Sequence, residues 1–220
     1  MRLGIKPLAF FGRALVFFAL TYALWTQEWA PIAQYYTQLL AWLVEGFLHL
    51  TEISSDPYLH QVSRITADGT AIFFRHRLFP QVSPPGIPAE WVQANLVLLI
   101  PLMLATPAPT WAAKAFRFGL AMVMALVLQV LDISITVKAF WSIELGEWSF
   151  RYYSDNARWL YMLADAFAQS MDTQLFPFVI WAGIHLRQLI GWERPAATTP
   201  QVNRADARRA DRQRRKREAA

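Results

Sequence analysis

Apolar residues in this chain gather in long blocks separated by short polar or proline-rich stretches. That is the pattern of helices that meet hydrocarbon on every side, not of amphipathic helices around a watered core. The first block reads LAFFGRALVFFALTYALW over about 8–25, with Arg2 and Lys6 ahead of it and Arg13 inside it. A cleaved signal peptide needs small residues at the end of a shorter apolar region. The following WTQEWAP offers no such site, so positions 1–25 read as an N-terminal transmembrane anchor whose Arg13 snorkels to the headgroups. A second block runs from about Trp91 to Thr106 and stops at Pro107-Ala108-Pro109. The third, Phe116 to about Val137, stays apolar until Gln129 and Asp132, and the basic turn between the two carries Lys114 and Arg117. Positions 91–137 therefore predict a transmembrane helical hairpin. A final span is expected within 173–193, with His185 and Arg187 in its inner half and Trp192 at its end.

Residues 29–50 decide the topology. WAPIAQYYTQLLAWLVEGFLHL is apolar enough to tempt a fifth crossing, but it carries Gln34, Gln38, Glu45 and His49. If it crossed, the tail with nine Arg or Lys after Gly191 would lie outside the cell and the acidic loops inside, against the positive-inside rule. It is read instead as an interfacial or loop-packed amphipathic helix. It opens an extracytoplasmic loop domain, 26–90, that also holds a β-hairpin. HQVSRITA and TAIFFRHRLF flank Asp68-Gly69, and an Asp-Gly pair suits the two central positions of a type I′ turn because both need positive φ. Pro84-Pro85-Gly86 marks a later turn. Residues 138–172 set Glu144, Glu147, Asp155, Asp165 and Asp172 against Lys138, Arg151 and Arg158, among Trp and Tyr residues suited to an interface. They read as an outer, interfacial loop.

The fold class that follows is an all-α membrane protein with four transmembrane helices and a small extracytoplasmic loop domain containing an amphipathic helix and a β-hairpin. Both termini are then cytoplasmic, in a bacterial-type inner membrane. Composition agrees: 55% of residues are hydrophobic and 17% charged, so a membrane protein is the first reading for 220 residues. The net charge of +5 lies mostly in the tail, 194–220, whose like-charged blocks lack the apolar residues to fold alone. Arg208, Arg209, Arg212, Arg214, Arg215, Lys216 and Arg217 are expected to meet anionic lipid headgroups, a simpler partner for a juxtamembrane polybasic segment than nucleic acid.

Candidate chemistry is sparse. With no cysteine, thiolate nucleophiles, disulfides and Cys-ligated metals are excluded. Ionisable groups in a membrane are functional candidates by default, which singles out Asp132 and His185 beside Gln129 and Arg187. Asp132 falls near the outer end of its span and His185 in the inner half, so their depths do not match. Glu45 and His49 share a helical face at i and i+4, and Glu52, His60 and His76 are the residues that would complete an outer zinc site, yet no H-E-x-x-H spacing occurs. Ser54, Ser55 and Ser63 neighbour His60 without a nucleophile-elbow spacing, and no Gly-rich phosphate loop is present. The pattern thus predicts no catalytic, metal or cofactor site. Glu45, His49, Asp132 and His185 remain the polar residues of interest.

The text NLVLLIPLMLATPAPTWAAKAFRFGLAMVMALVLQVLDI resembles the paired-helix core of the exosortase and archaeosortase superfamily, and of the small membrane proteins that accompany exosortases. An Asn opens a Leu-rich helix with a central Pro, and a short basic turn leads to a second apolar helix. Those enzymes use a Cys nucleophile, so the resemblance implies a non-catalytic relative in which Asn95, Pro101 and Arg117 are structural. The expected function is that of an accessory protein of envelope protein sorting or surface-polymer export, holding a membrane-protein partner through 26–90. The alternative is a small enzyme acting on a lipid-linked substrate at the outer interface.

Overall fold

The computed structural model describes residues 7–26, 31–51, 65–68, 71–76, 78–82, 86–172 and 175–189. It is mostly helical, with seven helices among those residues: α1 (Pro7–Trp25), α2 (Ile32–Thr51), α3 (Ala89–Ala105), α4 (Trp111–Glu144), α5 (Glu147–Tyr152), α6 (Asp155–Asp172) and α7 (Phe176–Leu189). Strands β1 (Ile65–Ala67), β2 (Ala71–Phe74) and β3 (Ile87–Pro88) form one antiparallel sheet in that order. The chain divides into two compact units, Gly4–His185 and a second that joins both chain ends; of the latter only the last turn of α7 is described.

Two helices, Leu8–Trp25 and Trp111–Glu144, are long and apolar enough to cross a membrane, while α3 and α7 are shorter apolar helices. α1 packs along α3 and leaves most of its surface uncovered: Leu8 is 89% exposed and Leu15 70%. Phe116, Val123 and Val127 of α4 and Val179 of α7 also face outward. Inside, Leu96, Leu99 and Met103 of α3 meet Ala121 and Ala125 of α4 and Ile180 of α7. The small residues on α4 let these helices approach closely, as in membrane bundles. The corner between α3 and α4 follows from its sequence. Thr106 caps α3 by bonding the Leu102 carbonyl, Pro107 cannot continue the helix, and Thr110 accepts the Ala113 N–H to start α4. Lys114 closes the turn by donating to the Leu104 carbonyl at 2.7 Å.

One polar layer crosses this bundle. The Trp25 indole donates to Gln93, whose amide donates to the Thr37 hydroxyl; the Gln129 amide donates to the Val92 carbonyl at 2.7 Å, and the Tyr36 hydroxyl bonds the Gln129 carbonyl. The last residue of α1, the first turns of α2 and α3 and the middle of α4 are thereby fastened at one level. About 18 residues of α4 precede that layer, some 27 Å of helix.

Beyond the layer, the second half of α4 carries a cap. The buried stripe of α2 (Leu40, Ala41, Val44, Leu48) joins Ile133, Val137 and Trp141 of α4, with Ile65, Ile72 and Phe74 of the sheet. α2 is thus a packed amphipathic helix, while α4 continues past Val137, where the apolar pattern alone ended the third span. The hairpin stands where Asp68-Gly69 predicts it, with a shifted turn. The register Ile65↔Phe74 to Ala67↔Ile72 makes Asp68 and Ala71 partners, so Asp68 precedes the two-residue connector instead of filling it. Its carboxylate accepts the Ala71 N–H at 3.0 Å. Positions 69–70 lie outside the described residues. The third strand follows Pro84-Pro85-Gly86, which the sequence reads as a turn, and adds to β2 at the sheet edge, where Pro88 is tolerated.

Residues 138–172, expected as an interfacial loop, are helical throughout most of their length. α4 ends at Glu144, and Gly146, whose φ of 61° and ψ of −135° suit glycine alone, turns the chain into α5. Buried Ser149 braces that corner, accepting the Leu145 N–H and donating to the Trp141 carbonyl. α6 then runs back along α4.

Candidate functional site

A cavity of about 570 Å³ lies between α3, α4, α6 and the sheet. Helical period places its α4 wall. Asp132, Thr136, Ala139 and Ile143 recur at i, i+4, i+7 and i+11, one stripe facing α6, which answers with Met162, Asp165 and Gln169. Phe74 of β2, Ile87 of β3 and Trp91 of α3 close the remaining side. Gly86 belongs to this wall for want of space: a Cβ there would stand 2.8 Å from the Phe73 ring and 3.0 Å from the Ala71 Cβ.

Three carboxylates, Asp132, Glu144 and Asp165, line the cavity, and among the described residues no Lys, Arg or His lines it. Asp165 is fixed in place, with Oδ1 accepting the Thr136 hydroxyl at 2.6 Å and Oδ2 accepting the Gln169 amide at 2.8 Å. Its oxygens keep lone pairs for a further donor. The rest of the wall is mainly apolar, so the hollow suits an amphiphilic ligand with a positive end.

The four polar residues singled out by sequence do not form one site. Asp132 lines the cavity. Glu45 points to the other side of the cap, where Oε2 accepts the Ile65 N–H at 3.0 Å and ties α2 to β1. His49, a turn further along α2, stands 4.0 Å from Glu45 with half its side chain in solvent. His185 is buried in α7, its ring nitrogen 2.9 Å from the Trp181 carbonyl and its ring against the Trp181 indole, which in turn donates to Thr106. α7 meets the first half of α4 and Asp132 lies in the second, so Asp132 and His185 are not brought together. Gln129 serves as an interhelical clamp. Asn95 and Pro101 are buried in α3.

His76 has a different setting. Its ring meets Phe79, Trp141 and Trp148, with centroids 5.4, 5.2 and 4.7 Å away, and Nδ1 accepts the Leu78 N–H at 3.3 Å. Burial, and then the positive charge of Lys138, push its pKa down to about 4, so the imidazole is neutral with its hydrogen on Nε2. Among the described residues no three His, Asp or Glu side chains gather as metal ligands would. Glu52, His60, the serines beside it and the tail arginines from Arg208 to Arg217 lie outside the described residues, as does the Arg187 side chain.

Sequence reasoning counted Glu144 and Asp165 only as topological charge and passed over Thr136 and Gln169. The signal was present in their spacing: Asp165 and Gln169 share a face of α6, as Asp132 and Thr136 share one of α4. What the sequence lacked was the pairing of those two faces. The chain matches no protein-family model, and neither the curated proteins nor the solved structures include a significant match to it.

Proposed function

We propose that this protein is a four-span inner-membrane protein with both termini in the cytoplasm, and that it serves without catalysis as an accessory subunit of an envelope protein-sorting system of the exosortase kind or of surface-polymer export. The cap is its extracytoplasmic face and receives a membrane-protein partner; the basic tail meets anionic lipid.

The topology draws support from the polar layer. α1 ends at it, α3 begins at it, and the preceding part of α4 is about 27 Å long, close to a hydrocarbon core of roughly 30 Å. The helices below it turn apolar side chains outward, which lipid accommodates and water does not. Lys114 and Arg117 lie toward one end of that bundle and the carboxylates of the cap beyond the other, the distribution the positive-inside rule favours. Support for leaving α2 out of the crossings comes from its buried stripe, which packs against α4 and the sheet of the cap.

The observation that carries the accessory reading is how the cap employs its candidate catalysts. Glu45 holds β1, His76 is sealed among rings, and Asp165 is bound by Thr136 and Gln169, so these groups are engaged in holding the cap together. The resemblance of the α3–α4 text to the exosortase-associated membrane proteins points the same way.

The test is co-purification of the full chain from native membranes in mild detergent. A membrane-protein partner held through 26–90 is expected with the wild type and with Ala at Glu45, His49 or His60, and is expected to be lost when the hairpin around Asp68-Gly69 is deleted. Recovery of the chain alone would sink the proposal. So would a cellular activity abolished by alanine at His49 or His60 with membrane levels unchanged, which would identify an enzyme.

A further inference from the structure

We propose that the cavity between α3, α4, α6 and the sheet is the receptor for one basic side chain, Lys or Arg, carried between apolar neighbours on a membrane-embedded partner polypeptide. This rests on the accessory reading above and names the chemistry of the contact.

The charge of the hollow and the nature of its walls select the occupant together. Asp132, Glu144 and Asp165 give it three negative groups, and the described lining residues include no cationic side chain. A small inorganic cation would satisfy those groups but leave Ile133, Phe140 and Met162 facing water. An aminophospholipid would satisfy the walls but bring its own phosphate among three carboxylates, where the described lining residues offer no Arg or Lys to receive it. A basic side chain on a polypeptide has no such anion. Its methylenes match the apolar wall, its head donates to carboxylates, and its apolar neighbours have a place to lie. At about 570 Å³ the hollow falls within the range of sites that take small molecules, with room for a basic side chain together with its apolar neighbours.

The surface beside the cavity continues the match. α6 is inverted for a helix in water. Tyr161, Ala164, Asp165 and Ala168 turn inward, whereas Trp159, Leu160, Leu163 and Phe167 are half or more exposed. Met162, itself half exposed, belongs to both this face and the cavity wall. An apolar helix laid along α6 would therefore place a basic residue over the cavity mouth. Leu175, Phe178 and Val179, just before and within the first turn of α7, are likewise apolar and exposed.

The experiment uses the full chain in phosphatidylcholine nanodiscs and a synthetic membrane-spanning Leu-Ala peptide with a single Lys near its outer end. Peptides with Leu or Glu at that position serve for comparison, and a fluorophore on each reports binding by energy transfer. The Lys peptide is expected to bind at least tenfold more tightly than the other two. Asp132→Asn with Asp165→Asn is expected to remove that preference; asparagine keeps the shape and, at 165, an acceptor for Thr136. Should the double variant lose its fold, Ile143→Lys supplies a tethered cation at the cavity edge, where Ile143 is exposed, and is expected to block the Lys peptide selectively. Equal affinity for the three peptides would overturn the proposal, as would a Lys preference that survives both changes. Loss of Lys-peptide binding in phosphatidylethanolamine nanodiscs would also overturn it, by making a lipid ammonium the occupant. Because only the purified chain and a synthetic peptide are used, failure here leaves the co-purification result standing, and a chain recovered alone from cells leaves the peptide result standing.

Discussion

His76 takes its properties from what surrounds it: three aromatic rings and a backbone N–H hold its imidazole neutral, with Lys138 adding repulsion to any proton that arrives. The consequence for pH has a definite sign. Above the ordinary histidine pKa of 6.5, folded and unfolded imidazoles are both neutral and the group contributes no pH dependence. Between 6.5 and about 4 the unfolded chain binds a proton that the folded chain does not, so stability falls as pH falls and levels off below about 4. The loss is on the order of 3 kcal/mol. Thermal unfolding in detergent, followed by tryptophan fluorescence, is expected to show a decline across that window that His76→Gln removes. Glu45 makes the opposite kind of contribution, an anionic acceptor for one strand N–H. Glu45→Ala leaves the Ile65 N–H without that acceptor and is expected to cost about 1–2 kcal/mol, less than a fully buried case because a third of the side chain is exposed. Glu45→Gln keeps an acceptor and should restore most of the loss in the same melt. A catalytic carboxylate would not be rescued by the amide.

At the scale of elements, α4 does two jobs with one helix. Its first half supplies small residues to the bundle and its second half is the spine of the cap, and Gln129 sits where the two meet. An amide that bonds both the Val92 carbonyl and Tyr36 fixes α3 and α2 against α4 at once. Gln129→Leu keeps the volume but strips both bonds, leaving buried polar partners behind, and is expected to destabilise by about 1–3 kcal/mol in chemical unfolding. Gln129→Glu would retain an acceptor for Tyr36 and lose the donor to Val92, so it should cost no less. Much at this scale was legible beforehand. The apolar blocks marked α1, α3, α4 and α7, the prolines marked the end of α3, and the stretch around Asp68-Gly69 marked a hairpin. The exact turn position escaped because an Asp-Gly pair satisfies two placements: Asp can fill the turn, or precede it and accept the Ala71 N–H as it does here. The continuation of α4 beyond Val137 escaped because polar residues there resemble a loop until a partner helix, α6, is present to receive them.

For the whole molecule the decisive question is which side of the membrane each end of the bundle faces. The chain has no cysteine, so single cysteines report cleanly. In intact spheroplasts, a membrane-impermeant maleimide is expected to label a cysteine at His49 from outside and one at Trp111 only after lysis; both side chains are well exposed. If α2 crossed the membrane instead, the two results would exchange. The cap and the bundle also predict separate responses: changes at Glu45 or His76 should soften the cap, whereas the packing of Leu99, Ala121 and Ile180 in the bundle should be felt in membrane levels of the protein.

The sequence by itself determined the apolar helices, the place of the hairpin and the division of charge, because hydrophobic length, turn chemistry and formal charge are properties of neighbouring residues. Only the tertiary structure decided where α2 lies, that His76 is walled in by rings, and that Asp132 and Asp165 share a cavity. Each of these depends on faces of separate elements meeting in space, and a residue's neighbours along the chain do not specify what lies across a helix pair.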